Sequence, residues 1–168
     1  MYWSDWGTYP KIERANMDAS SRTTLVSSGL IWVNSLALDF KKRFLYWCDA
    51  RLDKIERVDL QGNNRKLIMD LSSRSARYHP FGLALFEDTL FWSDWLTENV
   101  HKYNMTSSVS SVLVYGMYYP MEIHIHDHKT LPSGKWDVLL YHVENSDNRR
   151  VSRHKHQILS IVEADRSR

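Results

Sequence analysis

The sequence predicts an all-β chain built from repeated four-stranded antiparallel sheets, and three observations predict it. The phrase Tyr-Trp-Cys-Asp at residues 46–49 recurs as Tyr-Trp-Ser-Asp at residues 2–5 and as Phe-Trp-Ser-Asp at residues 91–94, so the starts lie 44 and then 45 residues apart. The segments between these phrases are short, alternate apolar with polar residues and end in turn residues, which is typical of strands. Before residue 150 no segment has a sustained helical period.

Each repeat divides into four candidate strands joined by turns. In the second repeat the candidate strands are residues 35–40, 44–49, 54–60 and 65–69. Between the last two strands, Gly62 and Asn63 favour a tight reversal. A four-stranded repeat of this length is typical of a propeller blade.

The period predicts complete units at residues 35–70 and 78–115. Residues 1–30 are expected to pack before them, and a further unit opens near residue 118. We expect the units to stack side by side, because each sheet carries apolar residues on both faces.

The composition limits the class of protein. The chain has 168 residues, of which 43% are hydrophobic and 25% charged, and this is typical of a globular domain. A formal net charge of +2 gives no reason to expect a nucleic-acid partner. We identify no apolar run long enough to span a membrane and no signal peptide at the N-terminus. Cys48 is the single cysteine, which excludes an internal disulfide.

The repeated phrases resemble the YWTD repeats of the low-density-lipoprotein-receptor family. The resemblance covers roughly residues 1–128 and extends to Lys-Ile-Glu-Arg at residues 11–14 and 54–57 and to Pro-Phe-Gly-Leu at residues 80–83. The phrase from Tyr2 to Glu13 is most like that of the large receptor-related members. The resemblance implies a β-propeller of six blades, of which this chain holds about two to three.

The sequence departs from the family pattern at several positions. Cys48 replaces a small hydroxyl residue, Val33 and Ser35 stand where the family prefers Pro and Gly, and Val-His-Lys at residues 100–102 replaces Lys-Ile-Glu. Residues 129–168 resemble nothing in the family. They contain a candidate strand at 136–141 and then a polar, basic stretch. We therefore predict a partial propeller at residues 1–128 and a partly disordered tail at residues 129–168, in a fragment or an alternatively spliced product.

In the repeated phrase the aromatic residues are expected to be structural. Because strand residues alternate between faces, Tyr46 and Cys48 share one face, and Trp47 and Asp49 share the other. Both faces of a blade are covered by its neighbours, so both rings are expected to be buried. The resemblance implies that the Asp side chains tie strands or blades together through hydrogen bonds to backbone amides.

A protein-binding surface is predicted at one end of the blades. In an up-and-down blade, the loop between the second and third strands and the connection to the next blade lie at that end. Trp and Tyr with a few charges are the side chains that dominate protein-binding hot spots. The alternative for each ring is packing into the core. The candidate residues are Trp6, Trp32, Arg51, Tyr78, His79, Trp95, Glu98, Tyr118 and Tyr119.

Other candidate sites are weaker. On a strand, His124, His126 and His128 point to one face and could bind a metal, but solvated histidines on an edge strand are the simpler interpretation. Asn104 begins an N-glycosylation sequon. Cys48 is expected to be a buried, inert thiol. The basic run at residues 149–156 could contact acidic partners or nucleic acid, but a solvated tail is the simpler interpretation.

Together these features predict an extracellular ligand-binding module of an endocytic lipoprotein-receptor-related protein, without catalysis or cofactor. The parent protein is expected at the cell surface or in the endosomal membrane, with this chain on the extracellular side and not inserted in the membrane. The expected partners are secreted or lipoprotein-type proteins. The alternative is a propeller fragment of an extracellular-matrix or growth-factor-precursor protein, and a zinc enzyme is a third hypothesis. In isolation the chain is expected to be marginally stable and to self-associate.

Overall fold

The computed structural model describes residues 1–72, 77–127, 136–142 and 156–157, and in these ranges it contains strands and turns but no helix. The first sheet has three strands in the order β1-β2-β3, namely Tyr2–Asp5, Lys11–Arg14 and Thr23–Val26. The second sheet has the order β4-β5-β6-β7, namely Val33–Asp39, Phe44–Asp49, Lys54–Asp59 and Lys66–Asp70.

The third sheet repeats the second, with the order β8-β9-β10-β11, namely Pro80–Phe86, Thr89–Asp94, Asn99–Asn104 and Val109–Val114. All pairs in these sheets are antiparallel. The two complete blades predicted from the repeat are thus confirmed. They are blades of a partial propeller.

A fourth sheet has the order β12-β13-β14, namely Pro120–Asp127, Trp136–His142 and His156–Gln157. The strand predicted at residues 136–141 forms and pairs antiparallel with β12. Most of residues 129–168 lie outside the described ranges, so the division of the chain at residue 128 stays a prediction.

Three hydrophobic clusters lie between successive sheets. Trp47 packs with residues of the first sheet, whereas Tyr46 and Cys48 pack with residues of the third. Trp92 faces back to the second sheet, and Phe91 faces forward to the fourth. The alternation predicted for the repeated phrase is therefore present, and both Trp side chains are 0% exposed. Burial of each such ring contributes about 2–3 kcal/mol.

The third residue of the repeated phrase links each sheet to the next. Ser4 Oγ donates to the carbonyl of Val33 at 3.1 Å, and Ser93 Oγ donates to the carbonyl of Met121 at 2.5 Å. Cys48 occupies the same position, and its Sγ lies 3.4 and 3.8 Å from two carbonyl oxygens of β8. A thiol is a weak donor, so this substitution keeps the geometry of the link but weakens the hydrogen bond.

A second repeated element places a guanidinium over the buried Trp of the second sheet. Glu56 pairs with Trp47 across neighbouring strands, and its carboxylate accepts from Arg65 at 2.7 and 3.0 Å. Arg65 Cζ then lies 5.2 Å from the Trp47 ring centroid. Burial tends to raise the pKa of Glu56, but hydrogen bonds from Arg65 and Lys54 lower it overall. The glutamate of the Lys-Ile-Glu-Arg phrase thus holds a cation on the ring.

The departure at residues 100–102 has a simple structural reason. His101 occupies the position of the glutamate, pairs with Trp92 across the strands and stacks directly on its ring, with centroids 4.9 Å apart and planes 11° apart. Its Nε2 lies 2.8 Å from the hydroxyl of Thr97. One imidazole therefore replaces the glutamate-arginine pair.

In the first sheet, the carboxylate of Glu13 is expected to make a contribution to stability that is lost in acid. The hydrogen bond from Arg22 is the main cause that lowers the pKa of Glu13 from 4.5 to about 2. Desolvation opposes this effect, and a hydrogen bond from Lys11 adds to it. A lowered pKa in the folded state contributes stability that is complete above the unfolded value and is lost as the pH falls from 4.5 towards 2. The Glu13→Gln variant should be less stable near neutral pH but should lose less stability over that range.

Urea unfolding midpoints measured between about pH 5 and pH 3 check this prediction. Glu87→Gln, at an exposed position in the turn between β8 and β9, is the control. Its urea midpoint should change with pH as steeply as that of the unmodified chain. The same slope in the Glu13→Gln variant would contradict the assignment.

Gly82 is needed because the fourth sheet approaches β8 closely. A Cβ at this position would lie 2.5 Å from the carbonyl oxygen of Met121 and 2.9 Å from the amide nitrogen of Ile123. Gly82→Ala should therefore force β8 and β12 apart and cost about 1–3 kcal/mol. Ser35, at the equivalent position of the second sheet, already carries a Cβ, so Ser35→Ala should cost less than about 1 kcal/mol. Equal unfolding midpoints for the two variants would refute the packing argument.

Candidate functional site

The candidate site lies at the end of the sheets where the loops predicted for binding meet, which we call the loop end. Two backbone hydrogen bonds join loops to inter-sheet connections there. The amide of Ala50 donates to the carbonyl of Trp32 at 2.9 Å, and the amide of Trp95 donates to the carbonyl of His79 at 3.1 Å. The two kinds of segment therefore form one surface, as the blade topology predicts.

Asp49 organises the loop end of the second sheet. Its side chain is 0% exposed, and Oδ2 accepts from the amide of Ile31 at 2.7 Å. Oδ1 accepts from the amides of Trp32 at 3.2 Å and of Arg51 and Leu52 at 3.1 Å each. One carboxylate thus fixes the incoming connection and the β5–β6 loop. This confirms the role that the resemblance implied for the Asp of the repeat.

Asp94 does the same in the third sheet. Its Oδ2 accepts from the amide of His79 at 2.8 Å, and its Oδ1 accepts from two amides of the β9–β10 loop at 2.9 and 3.1 Å. In the first sheet, the carboxylate of Asp5 is exposed and accepts from the amide of Gly7 at 2.9 Å. The loops after β5 and β9 are therefore held more firmly than the loop after β1.

Trp95 is the centre of the surface. Its ring stacks on Phe81, with centroids 4.5 Å apart and planes 9° apart, and on His79 at 5.5 Å and 14°. Tyr119 meets it edge-on at 5.7 Å. Its indole Nε1 donates to the carbonyl of Pro120 at 2.9 Å. The ring is fixed on several sides and its apolar surface is only partly covered.

The contacts continue on both sides of Trp95. Trp32 lies 5.9 Å from the His79 ring, and Arg51 Cζ lies 6.0 Å from the Trp32 ring centroid. On the other side Tyr118 and Tyr119 meet edge-on at 4.4 Å. Six predicted residues therefore form one continuous row, which we call the aromatic ladder: Arg51, Trp32, His79, Trp95, Tyr119 and Tyr118.

The outer members of the ladder are open to solvent. Trp32 is 39% exposed, Tyr119 45% and Tyr118 50%. Tyr119 also adopts a left-handed backbone conformation, with φ 45°. This conformation is uncommon for a bulky residue and is often found where function constrains the chain.

The remaining three predicted residues lie apart from the ladder. Tyr78 is half-buried and packs on His101 between the second and third sheets, so the core alternative applies to it. Glu98 is exposed, and its carbonyl accepts from the amide of Met117 at 2.6 Å. Trp6 is 55% exposed in the β1–β2 loop, and the described residues give it no ring contact with the ladder.

Sequence reasoning missed Phe81. Phe81 lies between the buried Pro80 and Gly82, where the pairing of β8 with β9 is irregular, and its ring stacks on Trp95. Regular alternation does not hold across this irregularity, so no sequence pattern indicated the contact.

The proposed histidine trio is only partly described. His124 is exposed, and its Nε2 lies 3.4 Å from a carboxylate oxygen of Glu122. The side chain of His126 and all of His128 lie outside the described residues, so the trio stays a prediction. Within the described residues, no group of three potential ligands is placed to hold a metal ion.

Two further candidates are placed clearly. Burial raises the pKa of the Cys48 thiol to about 12, which keeps it protonated and unreactive. Asn104 ends β10, and its Oδ1 accepts from the amides of Thr106 at 3.0 Å and Ser107 at 2.9 Å.

The basic run at residues 149–156 lies outside the described residues except for the backbone of His156.

The repeats, the blades and the buried aspartates define a class of protein, the propellers built from Tyr-Trp-x-Asp repeats. Residues 1–40 and 43–87 match the model of the family described as Low-density lipoprotein receptor repeat class B. The chain belongs to this family.

Known receptors carry similar sequence. The chain is 44% identical over 101 residues to the vitellogenin receptor Yl of Drosophila melanogaster, which is 60% of this chain and 5% of that protein. It is 33% identical over 132 residues to the vitellogenin receptor of Solenopsis invicta, which is 78% of this chain and 7% of that protein. The chain therefore spans less than a tenth of the length of these relatives.

A solved structure has the same fold. In the crystal structure of a nidogen/laminin complex, one chain matches with a TM-score of 0.60 at 18% identity, over 83% of this chain and 69% of that one. At this identity the match shows the fold alone. Among the described residues, none forms a helix with the length and apolarity needed to span a membrane.

Proposed function

We propose that the chain is an extracellular protein-binding module of an endocytic lipoprotein-receptor-related protein, and that the aromatic ladder is its contact surface. The observation that carries the proposal is the continuity of the ladder across the loop end. Six side chains from three connections and two loops lie in one row, with exposed rings at its ends.

The ladder has the physical properties of a protein-binding hot spot. Trp, Tyr and Arg contribute most of the binding energy in typical interfaces. Rings contribute large contact areas for little loss of side-chain entropy. Here the buried carboxylates of Asp49 and Asp94 fix the backbone that carries the rings. A preordered surface loses less entropy when a ligand binds.

The relatives suggest a probe for the ligand. Both are named as vitellogenin receptors, so purified vitellogenin is the first protein to test. The receptor assignment is favoured over the matrix or growth-factor-precursor alternative, because the comparison at 44% identity is with a receptor.

Surface plasmon resonance with immobilised chain and soluble vitellogenin tests the proposal. Trp32→Ala and Tyr118→Ala remove exposed rings from opposite ends of the ladder, and each should weaken binding by about tenfold or more. Phe40→Ala is the matched control. Phe40 is 76% exposed in the β4–β5 turn, at the opposite end of the sheets, and its loss should change affinity less than about twofold.

The outcomes separate clearly. Loss of affinity in both ladder variants with an unaffected control supports the proposal. Equal affinities in all variants, or a larger effect of Phe40→Ala, would exclude the ladder as the contact surface.

We also propose that the chain has no catalytic role. The buried Cys48 thiol is not a nucleophile, and the histidine trio is the remaining candidate for an enzyme. Zinc measured in purified protein by mass spectrometry decides the matter. Zinc at one atom per chain, lost in a His124→Ala variant, would favour the enzyme hypothesis instead.

An extracellular location predicts modification at Asn104. This residue lies in a turn at the end opposite to the ladder, so a glycan there would leave the loop end free. When the chain is secreted from insect cells, its measured mass should include an N-glycan that peptide N-glycosidase removes. The Asn104→Gln variant should lack this added mass. An unglycosylated secreted chain would contradict this prediction.

Self-association of the isolated chain is part of the proposal. Trp3 occupies the position of Trp47 and Trp92 but is only half-buried, so one face of the first sheet is incompletely covered. Uncovered apolar faces promote association. Sedimentation velocity should show a concentration-dependent mixture. A single compact monomer at all concentrations would show that this part is wrong.

A further inference from the structure

We propose that the cleft between the second and third sheets, at the end opposite to the ladder, binds a tetrahedral oxyanion, a sulfate or phosphate group carried on a small polar molecule. This inference is independent of the protein-binding role. We call the site the Arg57 cleft. Its volume is about 330 Å³, and its lining includes Lys42, Arg57, Lys66, Asp88, Tyr103 and Thr106.

The strongest indication is an internal comparison between two equivalent arginines. Arg14 and Arg57 both end the Lys-Ile-Glu-Arg phrase, in the first and second sheets. Arg14 Nη1 donates to the carbonyl of Leu60 and so joins the first sheet to the second. Met105 is the residue of the third sheet that corresponds to Leu60, because its amide also bonds to the turn between the first two strands of its sheet. Arg57 makes no such bond to Met105 in the described structure, so its guanidinium is not used to join sheets.

Arg57 instead lies in the cleft with hydrogen-bonding capacity to spare. Its Cζ lies 3.9 Å from the Phe44 ring centroid, and Nη1 reaches the Tyr46 hydroxyl only at 3.5 Å. Its Nε is buried and has no hydrogen-bond partner among the residues that the structure describes. No carboxylate in that part of the chain lies within ion-pair distance of this guanidinium. Because Nε is enclosed by protein atoms, an acceptor in the cleft would bind to the Nη groups, whose one hydrogen bond among the described residues is the long one to Tyr46.

The charges of the lining favour an anion. Lys42, Arg57 and Lys66 are cationic, and Asp88 is the one carboxylate in the lining. That carboxylate is already engaged, because Lys42 forms an ion pair with one oxygen and the Thr106 hydroxyl donates to the other at 3.0 Å. The cleft therefore keeps an excess of positive charge at its Arg57 side.

The shape of the site favours a tetrahedral group on a polar carrier. Hydrogen-bond donors line the cleft from two sides. Arg57 and Lys66 lie on β6 and β7 of the second sheet, and Thr106 and Ser108 lie in the β10–β11 turn of the third. An arginine fork suits sulfate and phosphate oxygens. The cleft has room for more than the anion alone, and the hydroxyls of Tyr103 and Ser108 suit the hydroxyl groups of a sugar.

Isothermal titration calorimetry of the whole chain tests the proposal. The probes are glucose 6-sulfate and glucose 6-phosphate, with glucose as the uncharged comparison, so the two anion sources are distinguished. We expect one or both anionic sugars to bind and glucose not to bind. Absence of binding by both anions to a chain that is folded by circular dichroism would overturn the proposal.

The variants locate the site. Arg57→Met keeps the apolar stem against Phe44 and should weaken binding at least about tenfold, the effect of losing one charge-assisted hydrogen bond. Lys66→Gln, at an exposed strand position, should weaken it about threefold without affecting folding. Arg77→Gln removes one exposed charge at the loop end, outside the lining, and should change affinity less than about twofold.

Unchanged affinity in the Arg57→Met variant would overturn the proposal. If that variant does not fold, Lys66→Gln decides, since an affinity equal to that of Arg77→Gln would place the anion elsewhere.

Discussion

Replacing Trp47 or Trp92 by alanine is expected to lower the free energy of unfolding by about 3–5 kcal/mol. Both rings are completely buried between neighbouring sheets. Each is also covered by a repeated partner, Arg65 over Trp47 and His101 on Trp92. Alanine would remove these contacts and leave a cavity that the stiff sheets cannot close.

The first sheet supplies a matched control for the tryptophan variants. Trp3 has the same place in the repeat and is likewise covered by an arginine, with Arg22 Cζ 5.2 Å from its ring, but it is only half-buried. Trp3→Ala should therefore cost clearly less than Trp47→Ala. Urea unfolding followed by circular dichroism measures both. A Trp47→Ala midpoint no lower than that of Trp3→Ala would refute the core role of the repeat.

A second large effect is expected for Asp49→Ala, at least about 3 kcal/mol, because four half-buried amides would lose their acceptor and a fully buried unpaired amide costs about 1–3 kcal/mol. Since two of these amides belong to the connection that carries Trp32, the variant should also loosen one end of the ladder. If vitellogenin binds at the ladder as proposed, its affinity should then fall even for molecules that remain folded.

Asp5→Ala is the control for this prediction. Its carboxylate is exposed and holds one amide, that of Gly7, so its loss should cost less than about 1 kcal/mol. Thermal melts of the two variants, with affinity measured on the folded fraction, give the comparison. Equal costs would mean that the buried aspartate does not organise the loop end.

The sequence predicted the features that depend on period and alternation. The spacing of residues 2, 46 and 91 was sufficient to place two complete blades, and the side-chain alternation at Tyr46 and Trp47 was sufficient to assign their faces. The topology of an up-and-down blade was enough to bring Trp32, His79 and Trp95 together.

The rest depended on distances between sheets, which no local pattern contains. Tyr78 is adjacent to His79, but its ring turns into the core while its neighbour joins the ladder. The same Arg of the repeat joins two sheets as Arg14 and lies in a cleft as Arg57. The pairing of residues 136–142 with β12 is a long-range contact between a family repeat and a segment without resemblance.

Hydrogen–deuterium exchange with and without vitellogenin shows whether a ligand binds at the aromatic ladder. The amides of the connections and loops at the loop end should become protected, and those of the opposite turns should not change. Protection is predicted at residues 31–32, 50–52, 95–98 and 115–119. Protection confined to the opposite turns, at residues 40–43, 61–64 and 87–88, with unchanged exchange at the loop end, would show that the ladder is not the contact surface.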